Sequence, residues 1–335
     1  MTIARMVNGT PAGGEPVRTG VSGNEDRDIS RLDGDGSRVD GEETRGMGMR
    51  QEYTLEGARS EHDDGDLRAV RARHAAGLAA ARLLDAPKAA EAHLREALDV
   101  GAGAVPADEL ARWHSQLVMV LSGDAGRETE LAEAALRAAE QWDGLSASAA
   151  THLTFVAARA CHRAGHHARA AALFERPIAA DAALYPATEM AVLRGQYGKS
   201  LTLTGKYLDA AEQFLEAARL VRTDRTRTEL QAELASSAAS ALDAGGAEDR
   251  AQVAYLRAAQ LWGELGRIGP RCRCLRAAAW LRYWAATTEP EREQGVAALR
   301  EVLDELTARA GDAPSPEVTL ELEHTHRQLA DMRER

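Results

Sequence analysis

Four groupings of side chains have the types that chemistry requires. Cys272-Arg273-Cys274 sets two thiols two residues apart. On a helix, positions i and i+2 point in different directions, so joint metal binding is awkward. Structural zinc sites usually pair Cys-x2–4-Cys with a second such pair, and no second pair exists. Neighbouring arginines could lower one thiol's pKa and make it reactive; two small buried helix residues are the simpler reading. His162, His166 and His167 form the densest histidine group. His162 and His166 would align on a continuous helix, but Gly165 turns the chain between them and puts them around a corner. His324 and His326 have the same i, i+2 mismatch. Trp280 and Trp284 stand one helical turn apart with Tyr283 beside them. That spacing reads as a core stripe, with a ligand-binding box as the alternative. Phosphate-cradling glycine loops, a nucleophile elbow and His-Glu-x-x-His are all missing. The expectation is a non-enzyme with no catalytic residues, no metal site and no cofactor.

The elements that would position these residues are helical. The stretch 191–224 reads AVLRGQYGKSLTLTGKYLDAAEQFLEAARLVRTD. Two amphipathic helices meet at Gly205; Gly198 sits within the first, and Ala210, Phe214 and Ala217 follow at helical spacing in the second. Upstream, 151–184 repeats the pattern with Ala158, Gly165, Ala170 and Phe174, but puts Pro177 where Ala217 stands, so its second helix should end early or kink. Downstream, 232–264 repeats it with Ala239, Gly246, Ala251, Tyr255 and Ala258. Looser helix pairs are expected over 67–100, 106–142 and 271–309. A last helix should cover 315–333, where Ser315 and Pro316 supply an N-cap and a first-turn proline. Sustained alternation of β-branched and aromatic residues is lacking, so strands are not expected.

Small residues where two helices cross, with one aromatic filling the gap, resemble the tetratricopeptide repeat (TPR). The resemblance is strict over 151–264 and loose elsewhere in 66–335. It implies an all-α, right-handed α-solenoid of tandem antiparallel helix pairs. It also implies that the first helix of each pair lines a concave groove, through its second, fifth, ninth, twelfth and thirteenth positions. These are His152, Phe155, Arg159, His162 and Arg163 in the first strict repeat. In the second they are Val192, Gly195, Lys199, Thr202 and Leu203, and in the third Glu233, Ser236, Ser240, Asp243 and Ala244. Arg271, Arg273, Arg276 and Arg282 follow on the next first helix. The candidate peptide-binding residues are therefore Phe155, Arg159, His162, Arg163, Lys199, Thr202, Ser236 and Ser240. Arg159, Arg163 and Lys199 would make the groove basic and suited to an acidic or C-terminal peptide through charge-assisted hydrogen bonds. The alternative is that these cations are solvated and pair with neighbouring acids. The lysine–asparagine clamp of the family's chaperone-binding members is not reproduced, so a chaperone partner is not expected.

Composition sets the outer bounds. A formal charge of −11 argues against direct nucleic-acid binding. About half of that charge lies in residues 1–65, a Gly-, Asp- and Arg-rich segment too poor in large apolar side chains to offset its ordering entropy. It is expected to be a disordered tail, able to lie in the groove, and Met47 or Met49 is an alternative start. The lack of a long apolar run argues against a membrane span or a secretory leader. Three cysteines without disulfide spacing fit the cytoplasm, and the arginine-, alanine- and glycine-rich composition hints at a bacterial source. Function on these grounds is a protein- or peptide-binding adaptor, with homo-oligomerisation left open. The alternative is a regulatory sensor for a small ligand or signalling peptide, acting on a separate transcription regulator.

Overall fold

The computed structural model describes residues 45–180, 185–311 and 314–334, with side chains from 64 onward. Every regular element among the described residues is helical. In chain order the α-helices are α1 (Arg45–Arg82), α2 (Pro87–Gly101), α3 (Ala107–Leu121), α4 (Glu128–Trp142), α5 (Ala147–Arg163), α6 (His167–Ala179) and α7 (Ala187–Leu203). They continue with α8 (Tyr207–Leu220), α9 (Thr228–Ala244), α10 (Glu248–Glu264), α11 (Ile268–Ala285), α12 (Glu289–Ala310) and α13 (Pro316–Arg333). Of the acidic tail expected over 1–65, residues 1–44, and with them Met1 as a start, lie outside the described residues; the backbone of 45–65 is already helical as the beginning of α1.

The chain divides into two compact units, 1–120 and 121–335. In the first, α1 and α2 pack through alanines: Ala72, Ala79, Ala90 and Ala97 are fully buried around Leu94. The Arg73 guanidinium donates to both Glu109 carboxylate oxygens, at 2.9 and 3.0 Å, and so ties α1 to α3. Trp113 of α3 lies against Gly101, where a Cβ would stand 2.8 Å from the indole. A glycine is required there by close approach.

The second unit is a run of TPR-like helix pairs, α5/α6, α7/α8, α9/α10 and α11/α12, in which each helix packs on the next in sequence. The expected turn glycines are where the sequence places them: Gly165, Gly205 and Gly246 have φ of 79°, 78° and 75°, the left-handed region that only glycine enters without strain. The crossing point of α7 and α8 also obeys the pattern. A Cβ on Gly198 would stand 2.8 Å from the Phe214 ring, which is itself buried. Phe174, the matching aromatic of the preceding repeat, is fully buried as well and lies 5.8 Å from the Tyr197 ring of α7. Pro177 lies buried inside its helix, and α6 ends two residues later at Ala179.

Helix ends follow local chemistry. The Ser146 hydroxyl accepts from the Ala149 N–H and caps α5, and Ser315 accepts from Val318 N–H ahead of Pro316 to start α13. Thr288 and Glu291 form a capping box on α12. The end helix covers α11 and α12 with Val318, Leu329 and Met332, and the Tyr283 hydroxyl donates to the Met332 carbonyl at 2.8 Å. Glu321 of α13 is buried between α11 guanidiniums: Arg273 donates to Oε1 at 3.0 Å, and Arg276 Nη2 sits 2.8 Å from Oε2 at ion-pair distance without hydrogen-bond alignment. Among the described residues no helix is long and apolar enough to cross a membrane.

Candidate functional site

The first helices α5, α7 and α9 are buried on most sides by alanine and leucine, and each leaves one polar stripe accessible. On α5 the stripe is His152, Val156, Arg159 and Arg163; on α7 it is Glu189, Val192, Gln196, Lys199 and Leu203; on α9 it is Glu233, Ser237, Ser240 and Ala244. The stripes of α5 and α7 are neighbours, since His162 Nδ1 lies 2.9 Å from the Ser200 hydroxyl. Those of α7 and α9 meet where Gly195 faces Leu234: a Cβ on Gly195 would stand 3.1 Å from that leucine.

The predicted site residues fall into three groups on this face. Arg159, Arg163, His162 and Lys199 come together at its α5–α7 end. Arg163 and Lys199 are exposed, and among the described residues none of Arg159, Arg163 and Lys199 has a carboxylate within 4.0 Å. Burial lowers the His162 pKa first, and His167, Lys199 and Arg163 push it down further, so the ring is neutral at pH 7 beside two cations. Arg159 lies over the Phe155 ring at 5.4 Å, a cation–π contact; burial and then Arg163 lower its pKa, with Glu189 opposing.

Three predicted residues serve the fold instead. Phe155 is 3% exposed, a floor under Arg159 more than a surface contact. Thr202 donates back to the Gly198 carbonyl at 2.9 Å. Ser236 donates to the Ala232 carbonyl and accepts from the Trp262 indole N–H at 2.9 Å, which braces α9 to α10. Ser240 is exposed on the α9 stripe. Gly195 belongs to the helix contact, and Gln196, one residue on, takes the accessible place.

The cysteine and histidine groupings follow the simpler sequence reading, and the tryptophans depart from it in part. Cys272 and Cys274 are buried, and burial pushes both thiols up, Cys272 to about 11, so the arginines do not activate them. His162 pairs with His167 and not with His166: the ring centroids lie 5.4 Å apart across the Gly165 turn. Trp280 and Trp284 do touch, at 5.6 Å, and they divide: Trp280 is half-buried and packs on the core cluster that contains Tyr283, whereas Trp284 is 45% exposed. Trp280 lines a 410 Å³ cavity with Asp243, Arg273, Arg276, His324 and Arg327, where α9, α11 and α13 meet. A second, apolar cleft of 520 Å³ opens between α8, α9 and α10, lined by Leu215, Ala235, Leu242, Val253 and Ala254 with Arg250 and Arg257 at its rim.

Sequence reasoning missed Tyr185. It lies in the link before α7, outside any first-helix position, yet it is 7% exposed and packs on Phe155 at 5.4 Å and on His152 at 6.3 Å between ring centroids. Only its aromatic character, in a link with no other aromatic residue, could have signalled it.

No family profile matches the chain. No curated protein matches it either. Among solved structures it is similar to a Podosopora anserina protein named for kinesin light chain and built of nearly identical TPR-like repeats. Identity is 17% and the TM-score 0.41, over 59% of this chain and 93% of that one. A substituted form of the same Podosopora anserina protein gives 17% and 0.41 over 60% and 94%.

Proposed function

We propose that this array of TPR-like helix pairs is a non-enzymatic adaptor that binds an acidic protein segment on the first-helix face of α5 and α7. The observation that carries the reading is a contrast in pairing. Three arginines of the second helices are ion-paired across repeats: Arg169 with Glu133, Arg176 with Asp143, and Arg250 with Glu212. Among the described residues, Arg159, Arg163 and Lys199 are left without a carboxylate, in a molecule that carries 52 acidic residues. Cations held together without counter-charges repel one another, and a partner's carboxylates relieve that repulsion through charge-assisted hydrogen bonds. The candidate contact set is Arg159, His162, Arg163, Lys199 and Ser240, with Phe155, Thr202 and Ser236 as its supports. On composition we place the adaptor in a bacterial cytoplasm.

The test uses the full chain and an Arg159→Glu/Arg163→Glu/Lys199→Glu variant with matched helicity and melting temperature. Each is titrated with a fluorescein-labelled glutamate-rich peptide. Binding that weakens as salt rises and disappears in the variant supports the reading; equal binding by both chains, or none by either, defeats it.

The sensor reading draws on the 520 Å³ apolar cleft, whose volume suits a small apolar ligand. A small-molecule thermal shift lost in Val253→Glu would favour it over the adaptor.

A further inference from the structure

The cavity where α9, α11 and α13 meet is lined by charges of both signs, and the helix register sorts them along its length. Glu229 meets Arg267 and Ser236 meets Cys274, so α9 and α11 run parallel and Asp243 falls level with Leu281, next to Trp280. Arg273 meets Glu321, the Gln328 amide donates to the Arg276 carbonyl, and the Tyr283 hydroxyl donates to the Met332 carbonyl, so α11 and α13 also run parallel. Arg327 therefore falls level with the Arg276–Ala277 turn, and Asp331 level with Trp280 and Leu281. One end of the cavity carries Arg273, Arg276 and Arg327, with His324; the other carries Asp243, Asp331 and the Trp280 ring. Glu321 lies behind the arginines and is shared by Arg273 and Arg276. Counting it, three guanidiniums face three carboxylates, so the site is neutral as a whole and polarised along its axis.

The acidic end is incomplete. Among the described residues Arg327 and Asp331 have no ion-pair partner, and Asp243 accepts from the Tyr255 hydroxyl at 3.3 Å without a cation beside it. Both aspartates stand in the last turn of their helices, which end at Ala244 and Arg333. An acid there faces the negative end of the helix dipole, a placement that costs stability and that a cation relieves.

We propose that this cavity binds a short zwitterionic peptide, two or three residues long, by its two ends: the carboxylate against Arg276 and Arg327, and the ammonium between Asp243 and Asp331 over the Trp280 ring. A guanidinium takes a carboxylate in its planar fork, and an ammonium gains cation–π attraction from an indole. A ligand of one sign would satisfy one end and be repelled by the other. Length follows from the span. Trp280 follows Arg276 and Arg273 by one and two helical turns, about 6 and 10 Å along the axis. An extended chain covers about 3.5 Å per residue, so two or three residues reach across and a single amino acid does not. The 410 Å³ volume admits such a ligand. Between the two ends the lining is Ala277 and Gln328, so the peptide's ends carry the recognition and alanine peptides serve as probes. The site shares no residue with the α5–α7 contact set and stands apart from the adaptor reading.

The test titrates the full chain with dialanine, trialanine, alanine, N-acetyl-trialanine and trialanine amide, followed by saturation-transfer NMR. The chains are wild type, Arg327→Gln, Asp331→Asn and the charge-reversed Arg159/Arg163/Lys199 variant. A free di- or tripeptide should bind wild type, and alanine and both blocked forms should bind about tenfold more weakly. Arg327→Gln should weaken trialanine about tenfold and leave its amide unchanged; Asp331→Asn should do the same to trialanine and leave the acetylated form unchanged. A merely structural role would weaken every ligand alike and lower the melting temperature, which should stay at the wild-type value. The charge-reversed variant should bind trialanine as wild type does, whatever becomes of its glutamate-rich peptide. The proposal is overturned by failure of both free peptides to bind wild type, by equal binding of alanine or of either blocked form, by unchanged affinity in both single variants, or by loss of trialanine in the charge-reversed variant.

Discussion

Gly198 shows how much one hydrogen atom in place of a methyl can decide. Alanine is the better helix former by about 1 kcal/mol, so on propensity alone Gly198→Ala should stabilise α7. The added Cβ would stand 2.8 Å from a Phe214 ring that has nowhere to swing. Overpacking of this kind costs about 1–3 kcal/mol. Gly198→Ala should therefore lower stability in urea melts, and Gly198→Ala/Phe214→Leu should recover part of the loss; a more stable single variant would refute the steric account. A second residue-scale prediction concerns pH. Burial holds His152 and His162 below their ordinary value of 6.5. The folded chain takes up these protons less readily than the unfolded chain. Their stabilising contribution is complete above about pH 6.5 and is lost as the pH falls through and below that value. The melting temperature should drop from pH 7.5 to 5.5, and the drop should shrink in His152→Gln/His162→Gln.

At the scale of elements, the end helix α13 is the sharpest case. Its placement depends on Glu321, 1% exposed between Arg273 and Arg276. Replacing one partner of a buried pair leaves the other charges uncompensated, at about 3 kcal/mol or more. Glu321→Ala should strip hydrogen-exchange protection from α13 while α5 and α7 keep theirs. Uniform loss of protection would contradict it. The same helix marks what the sequence could and could not disclose. Its start was legible in Ser315-Pro316, and the strict repeats were legible in Gly165, Gly205 and Gly246, because a turn φ and a helix crossing admit few residue types. Its buried ion pair was not legible, since Arg273 and Glu321 are far apart in sequence and read singly as surface charges. The candidate site divides the same way. Arg159, Arg163 and Lys199 followed from repeat register. Tyr185 and the Gln196-for-Gly195 shift depend on how adjacent repeats rotate against each other, which no single repeat encodes. Trp284 misled where Trp280 did not, because helical spacing fixes that two residues share a face, not how far along that face burial extends.

At the scale of the molecule, charge distribution separates two properties that usually move together. Net charge is −11, while the α5–α7 end of the first-helix face is locally positive. The ion pairs between repeats are largely exposed, and exposed pairs contribute roughly 0–1 kcal/mol each. Raising sodium chloride from 0.05 to 0.5 M should therefore move the melting temperature little, while affinity for an acidic peptide falls steeply. A parallel fall in both would show that the same charges hold the fold and the partner.

Those exposed pairs have a mechanical consequence. Arg169 reaches back to Glu133, and Arg250 to Glu212, each from one second helix to the second helix of the preceding repeat. The alanine contacts between neighbouring helices are short-ranged and do not yield gradually. The arginine ties are long, solvated and able to break and re-form without unfolding anything. Flexing the second unit is expected to stretch these ties before it disturbs the core, so raising the ionic strength should soften the array slightly.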